Sequence, residues 1–145
     1  MNSNTTSPAH NTDQLTSVKQ QLGTTPWLIS CLCAAWCDTC ASYRRPFDQL
    51  QERHPDKCFA WVDIEDHADM ISDLDIENFP TILIQFEDRV LFLGTTLPDA
   101  NIVDRLIHNY QEQISQPRPI TPSIQTTGYE LPPLWSLRRL ILENC

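Results

Sequence analysis

The sequence predicts an α/β domain: a mixed central sheet of about four strands flanked by helices, with a C-terminal extension. Three observations carry that reading. The continuous apolar run Trp27-Leu28-Ile29-Ser30-Cys31-Leu32-Cys33 leads straight into Trp36-Cys37-Asp38-Thr39-Cys40 and a helical stretch. A second apolar run, Cys58 to Ile64, follows that helix, and strand–helix–strand implies a right-handed parallel crossover. Ile82 to Phe86 and Val90 to Leu93 then face each other across Glu87-Asp88, which reads as an antiparallel hairpin.

Met1 to Asn11 is rich in Ser, Thr and Asn and poor in apolar residues, so 1–11 reads as a disordered leader. Thr12 or Asp13 can cap a helix that carries Leu15, Val18 and Leu22 on one face and stops at Gly23. Residues 27–33 have no polar alternation, as expected of a central strand covered on both faces. From Asp38 to about His54, Cys40, Tyr43, Phe47 and Leu50 recur at helical spacing, and Pro46 should bend that helix. Asp66 to about Leu74 reads as a short helix with acidic residues in its first turn. A closing helix starts near Thr96, with Asp99 completing a capping box and Ile102, Val103, Leu106, Ile107 and Tyr110 forming its apolar face. The domain therefore spans 12–114. In 115–145, Gln116 to Pro122 is an extended, proline-rich connector, and Leu134 to Leu142 is a short basic-amphipathic helix.

The chain has 145 residues, enough for one compact domain with some excess. Its formal charge of −9 argues against nucleic acid and against an anionic membrane surface as partners. No basic residue precedes Lys19 and no apolar stretch precedes Trp27, so no targeting segment is expected and the location is read as cytoplasmic. In a reducing compartment, six cysteines are expected to be mostly thiols with one reactive pair.

Cys37 and Cys40 are three apart, and closing a disulfide between them requires the tight turn that a helix start provides. That position also sets the first sulfur near free backbone N–H groups and the positive end of the helix dipole, which favour a thiolate. A strand feeding such a helix, with Trp36 before the first cysteine, reads as a redox dithiol rather than half a zinc site, because no second C-x-x-C follows. No metal is expected.

The element order and the Trp36-Cys37-Asp38-Thr39-Cys40 motif resemble the thioredoxin-fold family, and Asn78-Phe79-Pro80-Thr81 resembles the loop that carries its cis-proline. The resemblance spans about residues 13–114. It implies that Cys37 is the exposed attacking thiolate and Cys40 the buried resolving thiol, forming a reversible disulfide while Cys31 and Cys33 stay reduced. It further implies that Trp36 forms the rim, that Phe79 and Pro80 offer a platform to extended substrate, and that Gly94 lets substrate backbone approach. The implied partners are disulfide-bearing protein clients and a reductase or small-thiol electron donor, with no bound cofactor.

Three departures from the family pattern modulate that expectation. Asp38-Thr39 replaces the usual Gly-Pro between the cysteines, and an acid beside Cys37 disfavours a second negative charge, which points to a reductant rather than a strong oxidant. Cys31 stands where the family carries a buried Asp that aids proton transfer. Trp61 stands where it carries the paired lysine.

Other features have a plain reading beside a sharper one. Cys31 and Cys33 share a strand face; they read as small buried hydrophobes, against a role for Cys31 in exchange with Cys40. Asp63 to Glu77 forms an acidic band, read as a solvated face or as a selector of basic clients, and His67 within it as a surface histidine. The tail helix either packs back on the domain or docks into a protein partner. Two other functions stand beside the reductase: a thioredoxin-fold binding or assembly protein with weak redox turnover, and a structural zinc-binder using Cys31, Cys33, Cys37 and Cys40.

Overall fold

A computed structural model of the chain describes residues 9–71, 79–97, 99–124 and 135–144. The first helix, α1 (Ala9–Leu22), begins upstream of the cap expected at Thr12 or Asp13, so 9–11 are helical rather than part of a leader; 1–8 lie outside the described residues. The chain continues through β1 (Trp27–Cys33), α2 (Asp38–Arg53), β2 (Cys58–Asp63) and α3 (Ala68–Ile71). It then forms β3 (Thr81–Phe86), β4 (Arg89–Thr95), α4 (Ala100–Ile114), β5 (Ser123–Ile124) and α5 (Leu137–Asn144). The acidic positions Asp73, Asp75 and Glu77, and the end of the helix expected to run to Leu74, lie outside the described residues.

The sheet order is β2-β1-β3-β4-β5. β1 pairs parallel with β2 and antiparallel with β3, which makes the continuously apolar run an interior strand, as its lack of alternation requires. β3 and β4 form the hairpin, turning through Glu87 at a left-handed φ of 53°. The sheet has five strands rather than about four. The connector adds two residues of parallel strand beside β4, at the sheet edge where a proline-rich chain can still pair.

Period-two alternation divides the core between the two faces of the sheet. Ile29, Cys31, Cys33, Phe59, Ile82 and Ile84 pack under Tyr43, Phe47 and Leu50 of α2 and Val103, Ile107 and Tyr110 of α4. Leu28, Leu32, Val62, Leu83 and Leu93 face the other way, against Leu15 and Leu22 of α1 and Leu137 and Ile141 of α5. α4 starts later than Thr96. Asp99 is its N-cap, accepting a hydrogen bond from Asn101 N at 2.9 Å, because a carboxylate at that position satisfies an otherwise orphaned N–H.

The tail packs back onto its own domain. Trp135, Leu137 and Ile141 are buried, and Gln85, in the core of β3, holds the turn before α5. Its side-chain amide donates to Ser136 Oγ and to Glu87 O, while its oxygen accepts from Arg138 N at 3.2 Å. Arg138 also donates to Leu22 O at the end of α1. Among the described residues, no helix is long and apolar enough to cross a membrane.

Candidate active site

β1 ends at Cys33, and α2 begins at Asp38 with Cys37 as its N-cap, in extended conformation and without a side-chain cap. The reversal between them is fixed by Cys37 N donating to Ala34 O at 3.1 Å, and Cys37 O accepts from Ala41 N to open the helix. Cys37 is half-buried and a free thiol, Cys40 lies one turn on and is buried, and Asp38 and Thr39 are exposed. Trp36 is 66% exposed, yet its ring meets Phe79 edge-on with centroids 5.5 Å apart. The Phe79–Pro80 bond is cis and Pro80 is buried, so the dithiol turn and the proline loop form one rim. Gly94 pairs with Ile82, two residues past that proline.

The disulfide in the structure joins Cys33 to Cys40, where the family pattern implies Cys37 to Cys40. The physical reason is where α2 crosses the end of β1. Alternation along β1 points Cys31 and Cys33 at α2, and the last strand residue lies directly beneath the first turn of the helix. The Cα atoms of Cys33 and Cys40 are 5.8 Å apart, within the range a disulfide spans. Cys33 is therefore neither reduced nor merely a small hydrophobe in this state, and of the two strand cysteines it, not Cys31, contacts Cys40 covalently.

Cys31 Sγ lies 3.4 Å from Cys33 Sγ. Burial pushes the Cys31 thiol well above the ordinary range; Arg44 pulls it down and Cys37 pushes it further up, both more weakly. Cys31 is thus a neutral thiol at physiological pH. It stands opposite Trp61 across the β1/β2 ladder, the two positions where the family pattern has an Asp and a Lys. The nearby cation is instead Arg44, whose guanidinium lies 4.8 Å above the Trp61 ring centroid. Arg44 was not singled out from the sequence, although its place one helical turn after Cys40 puts it on the side facing the thiols. Tyr43, from the same turn, brings a buried hydroxyl with no hydrogen-bond partner among the described residues, and burial raises its pKa.

The zinc reading loses its ligand set here, because Cys33 and Cys40 are tied to each other rather than offered as thiolates. Among the described residues the group able to hold a metal ion is His54, Asp104 and His108, with ligand atoms within 4.8 Å of one another. It sits at the far end of α2, about 24 Å of helix from Cys37. His54 Nε2 and Asp104 Oδ1, 2.7 Å apart, tie the end of α2 to α4 there.

A sequence model of the thioredoxin family matches residues 9–107. Among curated proteins, the chain is 23% identical over 100 residues to thioredoxin-like protein CXXS1 of Oryza sativa subsp. japonica, covering 69% of this chain and 65% of that one. It is 29% identical over 72 residues to putative thioredoxin 2 of Streptomyces coelicolor, covering 49% and 54%. The chain thus spans between about half and two thirds of the length of these relatives. Among solved structures, a mutant thioredoxin from Halobacterium salinarum superposes with a TM-score of 0.57 at 18% identity, over 72% of this chain and 88% of that one. The oxidised mitochondrial thioredoxin 3 of Saccharomyces cerevisiae gives 0.55 at 17% identity, over 66% and 89%. With the family match covering more than half the chain and the sheet, dithiol turn and proline loop in their expected places, the chain belongs to the thioredoxin family.

Proposed function

We propose that the chain is a thiol–disulfide oxidoreductase that reduces protein disulfides through Cys37 and Cys40. The observation that carries this is the position of Cys37: an accessible free thiol at the N-terminus of α2, beside a rim made by Trp36 and Phe79. The exposed aromatic edge offers an apolar surface to a client beside that thiol. The Cys37 thiolate attacks one sulfur of a client disulfide, forming a mixed disulfide as the other client sulfur leaves as thiolate. Cys40, once thiolate, attacks the Cys37 sulfur; the client departs with its second thiolate and a Cys37–Cys40 disulfide remains. An external thiol donor, a reductase or a small thiol, restores the dithiol, and the proposed setting is the cytoplasm. The relatives named thioredoxin support this class of chemistry.

A second reading is favoured by one specific observation. With Cys40 bound to Cys33, Cys37 has no resolving partner, and the protein in that state can hold a client through Cys37 but cannot release it.

Cys40→Ser separates the attack from its resolution. The variant is expected to accumulate mixed disulfides with proteins from a cell extract, seen as high-mass bands that disappear on reduction and are absent when Cys37→Ser is added. Bands that persist in the double variant and resist reductant would sink the oxidoreductase reading and leave the binding one.

A further inference from the structure

We infer that Cys33 is a third redox cysteine of this centre, taking the disulfide over from Cys37 so that the oxidised protein carries a buried Cys33–Cys40 bridge and a regenerated Cys37 thiol. The inference rests on the proposal that Cys37 is the attacking thiol. It adds a residue that the two-cysteine exchange does not use.

The geometry brings one acceptor within reach of two donors. Cys40 is bonded to Cys33 in the structure, while its place three residues after Cys37 in the first turn of α2 is that of the usual exchange partner. Both bridged residues are almost completely buried, at 1% and 2% exposure, whereas Cys37 is half-buried. Cys40 is therefore joined to an interior cysteine while it stands three residues after a half-buried free thiol on the same helix start. Cys31, its sulfur 3.4 Å from that of Cys33, is not itself joined to Cys40 in the structure.

The transfer is an isomerisation and needs no oxidant. Starting from the Cys37–Cys40 disulfide left by one client, the Cys33 thiol gives up its proton and its sulfur attacks Cys40 Sγ. The Cys33–Cys40 bond forms as the Cys37–Cys40 bond breaks. Cys37 leaves with the electron pair as a thiolate and takes up the proton that Cys33 released, so atoms and charge balance. The two oxidising equivalents taken from the client now sit in the interior, and Cys37 is again a nucleophile.

This gives the centre two modes. With Cys33 and Cys40 reduced, Cys37 and Cys40 act as a dithiol and clients turn over. With the interior bridge closed, Cys37 is a lone thiol, and a second disulfide, from a protein or from oxidised glutathione, is retained on it as a mixed disulfide. Release then waits until a thiol donor frees Cys40. The ligand class of the oxidised state is thus a disulfide-bearing molecule held covalently, and the buried bridge governs whether the site releases or retains it.

Peptide mapping of the full chain decides the matter. The reduced protein is treated with one equivalent of diamide, quenched in acid, alkylated with N-ethylmaleimide and digested with chymotrypsin without reduction. Cleavage after Leu32 and after Trp36 places Cys31, Cys33 and the Cys37/Cys40 pair on separate peptides. The expected product links the Cys33 peptide to the Cys37/Cys40 peptide, with Cys37 carrying the label. In Cys33→Ala the bridge is expected to fall back to Cys37–Cys40, and labelling of Cys37 to drop from near complete to near zero. A wild-type digest with Cys33 labelled and Cys37 joined to Cys40 overturns the inference, as does a Cys31–Cys40 link. Both results come from the wild-type protein, so a variant that fails to fold does not obscure them. They are also distinct from failure of the proposed function, which would show as absence of Cys37-dependent trapping in Cys40→Ser whatever bridge diamide forms.

Discussion

At the scale of single residues, Cys31 decides how the thiols can exchange protons. It is fully buried, opposite Trp61, and neutral at physiological pH, so it cannot act as the base that a carboxylate at this position would supply. Cys31→Asp is expected to speed resolution of the Cys37 mixed disulfide at neutral pH, because the carboxylate can take a proton and Arg44 supplies a nearby positive charge. The same change should cost on the order of 3 kcal/mol of stability, since a charge is moved into the core without a paired lysine. Insulin-disulfide reduction measured across pH, beside a thermal melt, reads both effects. The rate gain should disappear in acid as the carboxyl protonates, and an unchanged rate in a folded variant would show that proton transfer does not limit turnover. The sequence made much of this residue legible: its burial and its face follow from strand alternation, and its pairing with Trp61 from the family resemblance. The role of Cys33 was not legible. Alternation gives Cys31 and Cys33 the same face, and which of them meets Cys40 depends on where α2 crosses the end of β1, a tertiary fact that no local pattern encodes.

At the scale of elements, β2 shows how burial is converted into pH dependence. Cys58 opens the strand fully buried, its sulfur 3.8 Å from Val18 O of α1, and burial pushes its thiol up from the ordinary 9.0 to about 12. The unfolded chain releases this proton near the ordinary value, whereas the folded chain keeps it. Stability attributable to Cys58 is therefore fully present below pH 9.0 and is lost as pH rises towards 12. In Cys58→Ala the fall of unfolding free energy with pH across that window should be shallower by about 1.4 kcal/mol per pH unit, the weight of one proton. Urea titrations at several alkaline pH values, under reductant, measure the slope; parallel wild-type and variant profiles would mean that the Cys58 thiol titrates alike in both states. Element boundaries followed the same division between local and tertiary causes. The strands and α2 were readable because apolar runs and helical spacing are local. The start of α4 at Ala100, capped by Asp99, turned on which of two nearby polar residues caps the helix, and β5 on a sheet edge left open by β4.

At the scale of the whole molecule, the two faces of the sheet have different tasks. The face under α2 and α4 holds the thiols, and the opposite face is closed by α1 together with α5 from the C-terminal extension. That extension lies beyond the residues matched by the family, yet it supplies Trp135, Leu137 and Ile141 to the core, and Gln85 in β3 hydrogen-bonds the turn that introduces α5. A basic-amphipathic segment after a proline-rich connector reads equally well as a docking element, and only the tertiary structure shows its apolar side already occupied by this chain. The consequence is that stability and reactivity can be perturbed separately. Ile141 is fully buried among Leu15, Leu22 and Leu83, all on the face away from Cys37. Ile141→Ala should lower unfolding free energy by about 2–5 kcal/mol through lost transfer energy and the cavity left behind. It should leave the alkylation rate of Cys37 unchanged, because the sheet stands between them. Denaturant unfolding and timed iodoacetamide labelling of the reduced protein test the two halves together. A loss below about 0.5 kcal/mol would mean that α5 is not part of the packed core, since changes of that size are typical of exposed sites. A large change in the Cys37 rate in the folded variant would show that the two faces communicate, and that the extension helps to set the reactivity of the thiol it does not touch.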